Sequence, residues 1–230
     1  MIPMQASAYQ NLLEKLRPAG VSLLAVSKTK TADEIRSLYD LGQRDFGENY
    51  VQELVEKQAL LPGDIRWHFI GHLQTNKVKF IAPFVYMIQS VDSLKLLLEI
   101  DKHAAKNQRN IRCLLQIFIA REETKFGLNA AELDSLIFMV NENRMEGKFR
   151  HVLISGCMGM ASLTDDQTQL RREFNLLRSG FEKLKAGFPS DPVDTLSMGM
   201  SNDYSLAILE GSTMVRIGSL LFGERSVARK

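Results

Sequence analysis

The chain has 230 residues, of which 45% are hydrophobic and 24% are charged, values typical of a globular protein with one large domain. Its 29 basic and 27 acidic residues leave a net charge of +2 and form no basic run, which argues against a nucleic-acid or anionic-membrane surface. No segment approaches the roughly 18 apolar residues of a membrane span, and the N-terminus lacks a signal-peptide pattern, so we expect a cytoplasmic protein.

Apolar runs recur along the chain, and each is followed by a turn and then by a segment with helical periodicity, which is typical of βα units around a parallel sheet. A first helix is predicted at about 3–16. Eight strands are predicted at 21–27, 43–47, 66–70, 85–90, 112–119, 152–157, 195–199 and 214–218. The intervening helices are predicted at about 31–41, 49–60, 75–81, 93–107, 130–143, 165–187 and 203–210.

Eight strands with helices between them predict an α/β protein, a single (β/α)₈ TIM barrel with an extra N-terminal helix. An open doubly wound sheet is the alternative, since short apolar runs do not distinguish the two. No linker or repeat divides the sequence, so residues 1–230 are predicted to form one domain. Four helix starts carry capping signals. These signals are Thr31 with Glu34, Asp92 or Ser93, Asn129 with Glu132, and Thr164 or Asp165.

The two cysteines, Cys113 and Cys157, both lie in apolar runs. Their spacing fits neither a disulfide framework nor a metal site. We therefore expect both to be reduced, buried thiols.

The active site of such a barrel lies at the carboxyl ends of the strands, and strand 1 ends in AVSKTK. Its apolar run delivers Lys28 to the barrel mouth, where desolvation lowers a lysine pKa and favours the nucleophilic amine of Schiff-base chemistry. Lys30 is a competing candidate in the same loop. On this segment alone, a solvated surface lysine remains the simpler interpretation.

Polar residues also follow strands 2 and 3. Strand 2 is followed by Asn49, whose amide can donate to or accept from a phenolic ring oxygen. Strand 3 is predicted to present five polar residues around Gly71, namely His68, His72, Gln74, Asn76 and Lys77. A metal site at the two histidines is not favoured, because the residues between them form strand and turn and no acidic ligand is nearby.

The turns after strands 7 and 8 each contain small residues before a helical segment, as a phosphate-binding cradle requires. The predicted donors are Ser201 and Asn202 from one turn and Gly218 and Ser219 from the other. A phosphate site beside an amine suggests a phosphorylated carbonyl ligand, either pyridoxal 5′-phosphate (PLP) or a sugar phosphate. Arg216 favours PLP, because a guanidinium in the barrel mouth can donate to a pyridine nitrogen. An ion pair with a carboxylate inside the barrel is its alternative role.

Six motifs in order, AVSKTK, FGENYVQE, WHFIGHLQTNK, EETKFGL, LSMGMSNDYSLAI and VRIGSLLFGER, resemble the pyridoxal phosphate homeostasis protein family, which is related to the N-terminal barrel of alanine racemase. The resemblance implies a PLP-binding barrel with a Schiff base on Lys28 and Asn49 near the ring oxygen. It implies further that Arg216 lies on the pyridine-nitrogen side. The implied phosphate site contains Ser201, Gly218 and Ser219, with Met200 beside it. The segment ISGCMGMASLTDD departs from the family pattern.

The resemblance also implies a function in storing, buffering or delivering PLP, with PLP-dependent client enzymes as partners. The chain ends about where the barrel closes, so we expect no second catalytic domain and no robust catalytic activity. No exposed heptad or long apolar helix face in the sequence requires a partner, so we expect a monomer. One alternative is an amino-acid racemase, for which Tyr50 or Tyr204 would have to act as the base. Another is a sugar-phosphate aldolase that uses the same lysine.

Overall fold

The computed structural model describes residues 2–122 and 126–223. Eight parallel strands follow one another around a closed barrel, and β1 pairs with β8 to complete it. The strands are β1 (Ser22–Val26), β2 (Asp45–Glu48), β3 (Arg66–Phe69), β4 (Met87–Val91), β5 (Ile111–Gln116), β6 (Val152–Met158), β7 (Thr195–Ser197) and β8 (Met214–Ile217). The predicted (β/α)₈ barrel is confirmed, and the open sheet is not formed.

Helices connect the strands and surround the barrel. The α-helices are α1 (Ile2–Leu16), α2 (Ala32–Asp40), α3 (Val51–Leu60), α4 (Val78–Ile81), α5 (Leu94–Lys106), α6 (Ala130–Met145), α7 (Gln167–Gly187), α8 (Tyr204–Leu209) and α9 (Ser219–Phe222). The helix predicted at 75–81 is instead a 3₁₀ turn over Thr75–Lys77 followed by α4, and α9 was not among the predicted helices. Within the described ranges, no helix is both long and apolar enough to cross a membrane.

Three of the four predicted helix starts are capped as the sequence indicates. Thr31 and Asn129 form capping boxes with the glutamates three residues later, and Ser93 caps α5. The prediction of Thr164 or Asp165 for α7 is wrong. Asp166 is the N-cap, because its carboxylate accepts from two free helix-start amides, whereas Thr164 Oγ1 accepts from the Asp166 amide in the preceding turn.

Successive residues of each strand face opposite sides of the barrel wall. On β8, Val215 and Ile217 pack in the core between strands and helices, whereas Arg216 faces the barrel interior. On β3, Trp67 and Phe69 pack outward and His68 faces inward. The alternation therefore places polar side chains inside the barrel, beneath its mouth.

Both cysteines are free thiols and fully buried, as predicted from their apolar surroundings. Burial raises the pKa of Cys113, and it raises the pKa of Cys157 in the same way. Both sulfurs are therefore protonated and shielded, which fits a structural role.

Candidate functional site

A cavity of about 920 Å³ opens at the carboxyl ends of the strands. Residues that follow β1, β2, β7 and β8 contribute to its wall. All seven predicted cofactor-binding residues line it, namely Lys28, Asn49, Met200, Ser201, Arg216, Gly218 and Ser219, and Asn202 lines it as well. The structure thus brings together residues from four separate segments of the chain. The cavity volume is within the range of small-molecule sites, about 300–1,000 Å³.

Lys28 lies in the turn that follows β1. The next residue, Thr29, has a φ of 65°, a left-handed conformation that a β-branched residue rarely adopts. The backbone amide of Thr29 donates a hydrogen bond of 2.5 Å to Glu53 Oε1 of α3. A side chain of α3, the helix after β2, therefore holds the strained turn beside the candidate lysine.

A buried ion-pair network lies beneath this turn and was not predicted from the sequence. Lys57 Nζ donates to the Ser27 carbonyl at 2.7 Å, to Glu48 Oε1 at 2.8 Å and to Glu53 Oε1 at 2.6 Å. Ser27 Oγ donates to Glu48 Oε1 at 2.5 Å. Burial raises the pKa of Glu48, although the nearby Lys57 opposes this effect. Glu53 and Lys57 are four residues apart on a helix, and this spacing was the feature of the sequence that indicated an ion pair between them.

Lys30, the competing candidate, also lines the cavity. Its ammonium group donates to the Phe222 carbonyl at 3.0 Å and lies 3.4 Å from Glu34 Oε1. These contacts fix the Lys30 ammonium group between α2 and the end of α9.

Asn49 follows β2 and contacts the loop after β3. Its side-chain Oδ1 is buried, with no hydrogen-bond partner among the described residues. A Cβ atom at Gly71 would lie 2.2 Å from the Asn49 carbonyl oxygen, so only glycine allows the two loops to approach this closely. The packing therefore fixes the backbone of Asn49 while its side chain keeps hydrogen-bonding capacity at the cavity wall.

The loop after β7 is shaped by Gly199 and Asp203. Gly199 has a φ of +93°, and a Cβ atom there would lie 2.6 Å from Ala207 Cβ. The Asp203 carboxylate accepts from the Met200 amide at 2.5 Å. These two constraints hold Met200 and Ser201 at the cavity wall.

The loop after β8 lies beside the turn that carries Lys28. A Cβ atom at Gly218 would lie 3.4 Å from the Val26 carbonyl, an ordinary van der Waals distance, so this loop packs against the end of β1. Ser219 is the first residue of α9, and the first amides of a helix have no partner within the helix. The candidate phosphate donors and the candidate amine are therefore neighbours.

Arg216 reaches the cavity from inside the barrel. Its guanidinium donates to the Ser197 carbonyl at 2.7 Å, to Ser197 Oγ at 2.8 Å and to the Gly159 carbonyl at 2.8 Å. Burial lowers the pKa of Arg216 to about 10, so the group stays protonated at neutral pH. These partners are neutral oxygens, in contrast to the carboxylate considered as the alternative.

The prediction that His68 is presented at the mouth is wrong. Its ring is fully buried inside the barrel and contacts Asp45 at 3.1 Å and Gln89 at 3.0 Å, because the alternation of β3 turns this residue inward. His72 instead lies at the surface, 3.6 Å from Asp92.

No set of three His, Cys, Asp or Glu side chains in the described part of the chain could hold a metal ion. Three other residues were expected around Gly71, namely Gln74, Asn76 and Lys77. None of them is among the described residues that line the cavity.

One wall of the cavity was not predicted. It comes from β6 and the segment that follows it, including Met160, Leu163, Asp165 and Arg171. Arg171 forms an ion pair with Glu210. The feature of the sequence that could have indicated this wall was a run of polar residues after the carboxyl end of a strand. Residues 123–125 of EETKFGL and residues 224–225 of VRIGSLLFGER lie outside the described residues.

The chain resembles proteins of known family and structure over most of its length. The family model for the N-terminal domain of alanine racemase matches residues 6–226. The pyridoxal phosphate homeostasis protein of Pasteurella multocida is 37% identical over 97% of both chains, and the human protein of that name is 42% identical over 90% of this chain and 78% of its own. The structure of PipY from Synechococcus elongatus with PLP bound has a TM-score of 0.83 and 36% identity, covering 95% of this chain and 100% of PipY.

Proposed function

Since the chain belongs to the pyridoxal phosphate homeostasis protein family, we propose that it binds PLP in the mouth cavity and stores, buffers or delivers this cofactor. One observation carries the proposal. A single cavity combines the amine of Lys28, the buried guanidinium of Arg216 and the small-residue turns after β7 and β8. These are the groups that an aldehyde, a pyridine nitrogen and a phosphate require.

The residues present fit the cofactor in two further respects. The buried Oδ1 of Asn49 at the cavity wall has no hydrogen-bond partner within residues 2–122 and 126–223, and a ligand can supply one. The packing of Gly218 against Val26 places the loop after β8 next to the lysine turn, and both line the same cavity, so one small molecule can contact both.

Each residue has a separate role in this proposal. PLP supplies an aldehyde that forms a Schiff base with a primary amine, and Lys28 provides that amine. The Arg216 guanidinium donates hydrogen bonds and accepts none. It therefore hydrogen-bonds the ring nitrogen only when that nitrogen carries no proton. Asn49 contacts the ring oxygen. The phosphate is held by Ser201, Gly218 and Ser219, and Met200 packs beside it.

Protonation of the ring nitrogen strengthens electron withdrawal in PLP enzymes, and Arg216 disfavours that state. Alanine racemases share this arginine and still turn over, so our proposal of cofactor custody without rapid turnover rests on the lack of a tyrosine base among the described residues that line the cavity. The amino-acid racemase alternative needs a base on the opposite face. Neither Tyr50 nor Tyr204 is among the described residues lining the cavity, and the Tyr204 hydroxyl accepts from Lys15 at 3.4 Å. Incorporation of solvent deuterium into alanine or serine, well above the rate with free PLP, would establish the racemase.

Three finer points belong to the proposal. The protein acts in the cytoplasm, which fits its two buried free thiols. It acts as a monomer. PLP-dependent enzymes receive the cofactor from it. Light scattering on the purified protein tests the monomer. Transfer is tested by mixing the PLP-loaded protein with an apo-enzyme and a scavenger of free PLP, in which case reactivation of the apo-enzyme despite the scavenger supports direct delivery.

The experiment that tests the function is a titration of the apo-protein with PLP, followed by visible absorption without any amino acid. We expect a saturable visible band, and we expect pyridoxal, which lacks the phosphate, to bind more weakly. A sugar-phosphate aldolase also offers a lysine and a phosphate site to added PLP, so the absorption of the protein as purified separates the two. A visible band before any ligand is added excludes the aldolase. Absence of the band at saturating PLP would contradict the proposed function.

A further inference from the structure

A row of polar side chains crosses the interior of the barrel from its amino-terminal end to the mouth. Asp45 contacts the Nε2 atom of His68 at 3.1 Å, and His68 Nδ1 lies 3.0 Å from Gln89 Nε2. Gln89 Oε1 accepts from Ser197 Oγ at 2.7 Å, and Ser197 Oγ accepts from Arg216 at 2.8 Å. We refer to these five residues as the interior network.

The direction of every hydrogen bond in the interior network follows from its two ends. Arg216 only donates, so the Ser197 hydroxyl must donate onward to the Gln89 oxygen. The Gln89 amide nitrogen then donates to His68 Nδ1, which leaves the proton of the neutral imidazole on Nε2. That proton points to the carboxylate of Asp45. One carboxylate and one guanidinium thus impose a single orientation on the three neutral groups between them.

These neutral groups are deeply buried. Ser197, Gln89 and His68 have no solvent exposure, and burial lowers the pKa of His68, which favours the neutral ring that the network requires. A buried polar group is costly unless it is hydrogen-bonded, so apolar side chains would fill this space at lower cost. The presence of three connected polar groups here indicates a role other than packing.

The ends of the interior network lie at different surfaces. Arg216 lines the mouth cavity, and Asp45 lines a second cavity of about 410 Å³ together with Arg66. Arg66 donates to both carboxylate oxygens of Asp45, at 2.7 and 2.5 Å. The carboxylate is therefore fixed, and it anchors a network whose other end lies at the candidate cofactor site.

We propose that His68, Gln89 and Ser197 are positioning residues that hold the guanidinium of Arg216 toward the cofactor, with Asp45 as their fixed anchor. The inference rests on the proposed function, because it takes Arg216 to face the bound ring. It assigns a function to His68, about which the strand-end pattern in the sequence was misleading.

The first test compares two buried serines. Ser197→Ala breaks the interior network, whereas Ser90→Ala is a matched control because the Ser90 hydroxyl has no hydrogen-bond partner among the described residues. We expect Ser197→Ala to weaken PLP binding about fivefold to tenfold, as for one lost buried hydrogen bond, and to shift the visible absorption maximum of bound PLP. Ser90→Ala should keep both within experimental error of the wild type.

The second test asks whether a conservative substitution at His68, away from the cofactor, restores the spectrum of bound PLP. His68→Leu removes both hydrogen bonds, whereas His68→Gln keeps one acceptor and one donor. We expect the leucine variant to show the same spectral shift as Ser197→Ala, and the glutamine variant to recover part of the wild-type absorption maximum. A purely structural role would lower the thermal stability of both variants without changing the spectrum of bound PLP.

A third measurement requires no cofactor. Nitrogen-15 NMR of the four histidines in the apo-protein should show His68 neutral, with the proton on Nε2. A proton on Nδ1 would overturn the inference. The inference would also be overturned if Ser197→Ala bound PLP with the affinity and absorption maximum of the wild type. The proposed function would then stand, because the wild type still binds PLP. If the wild type gives no visible band, the proposed function fails and the inference fails with it.

Discussion

The ammonium group of Lys57 donates a 2.7 Å hydrogen bond to the backbone carbonyl of Ser27, the residue immediately before Lys28. Glu53, which also binds Lys57, accepts from the amide of Thr29, the residue immediately after Lys28. The candidate cofactor lysine is therefore held from both sides by one buried network. Its position depends on side chains of α3 that do not line the cavity.

Replacing Lys57 tests this dependence. Lys57→Met leaves the fully buried carboxylate of Glu48 without its cation, and we expect a loss of about 3–5 kcal/mol in the free energy of unfolding. Urea denaturation measures this loss. Lys102→Met, which removes an exposed pair with Glu99, is the control and should change stability little. Equal, small effects of both substitutions would show that the buried network does not hold the turn.

The approach of Gly71 to Asn49 gives a second prediction. Gly71→Ala would place a Cβ atom 2.2 Å from the Asn49 carbonyl, so the loop must shift and move the Asn49 side chain at the cavity wall. We expect weaker PLP binding, by about tenfold, measured by absorption titration, on the basis of one lost hydrogen bond to the ring. Gly63→Ala is the control, because nothing lies within 4 Å of its added Cβ atom. Unchanged affinity in Gly71→Ala would exclude a role for this contact.

The phosphate assignment predicts a difference between two ligands. Ser219→Ala removes one hydroxyl from the loop after β8, and hydrogen bonds to charged groups contribute about 1.5–3 kcal/mol. We therefore expect PLP affinity to fall by about 10- to 100-fold, while pyridoxal affinity stays the same. Calorimetry with both ligands measures the effect. An equal loss for pyridoxal would mean that Ser219 supports the fold and does not bind phosphate.

Asp45 predicts an acid dependence of stability. Burial raises its pKa, but hydrogen bonds from His68 and Arg66 outweigh this effect and lower the pKa to about 2. The unfolded value is about 3.9, so the stabilisation is complete above about pH 4 and is lost as the pH falls toward 2. We expect the difference in unfolding free energy between wild type and Asp45→Asn to shrink by about 2 kcal/mol across that window. A difference that stays constant with pH would contradict the assignment.

The strand order and the cavity walls formed after β1, β2, β7 and β8 could be predicted, because both follow from short-range patterns. Once alternating strands and helices indicate a barrel, the residue after each strand must lie at one rim, and this places Lys28, Asn49 and Ser219 together. The small residues after β7 and β8 also act locally, through backbone conformation.

The interior network could not be predicted, since it depends on which face of each strand turns inward. His68 follows Trp67 by one residue, and a shift of one position would exchange their sides. Its partners Gln89 and Ser197 come from β4 and β7, far away in sequence. The pairing of Glu48 with Lys57 likewise depends on how α3 packs against β2.

The most direct test of the central claim is to identify the residue that carries PLP. The wild-type protein, Lys28→Ala and Lys30→Ala are each incubated with PLP, reduced with borohydride, digested and analysed by mass spectrometry. We predict the reduced adduct on the peptide containing Lys28 in the wild type and in Lys30→Ala, and no specific adduct in Lys28→Ala. A wild-type yield of yellow, reducible adduct in Lys28→Ala would contradict the assignment of the cofactor lysine.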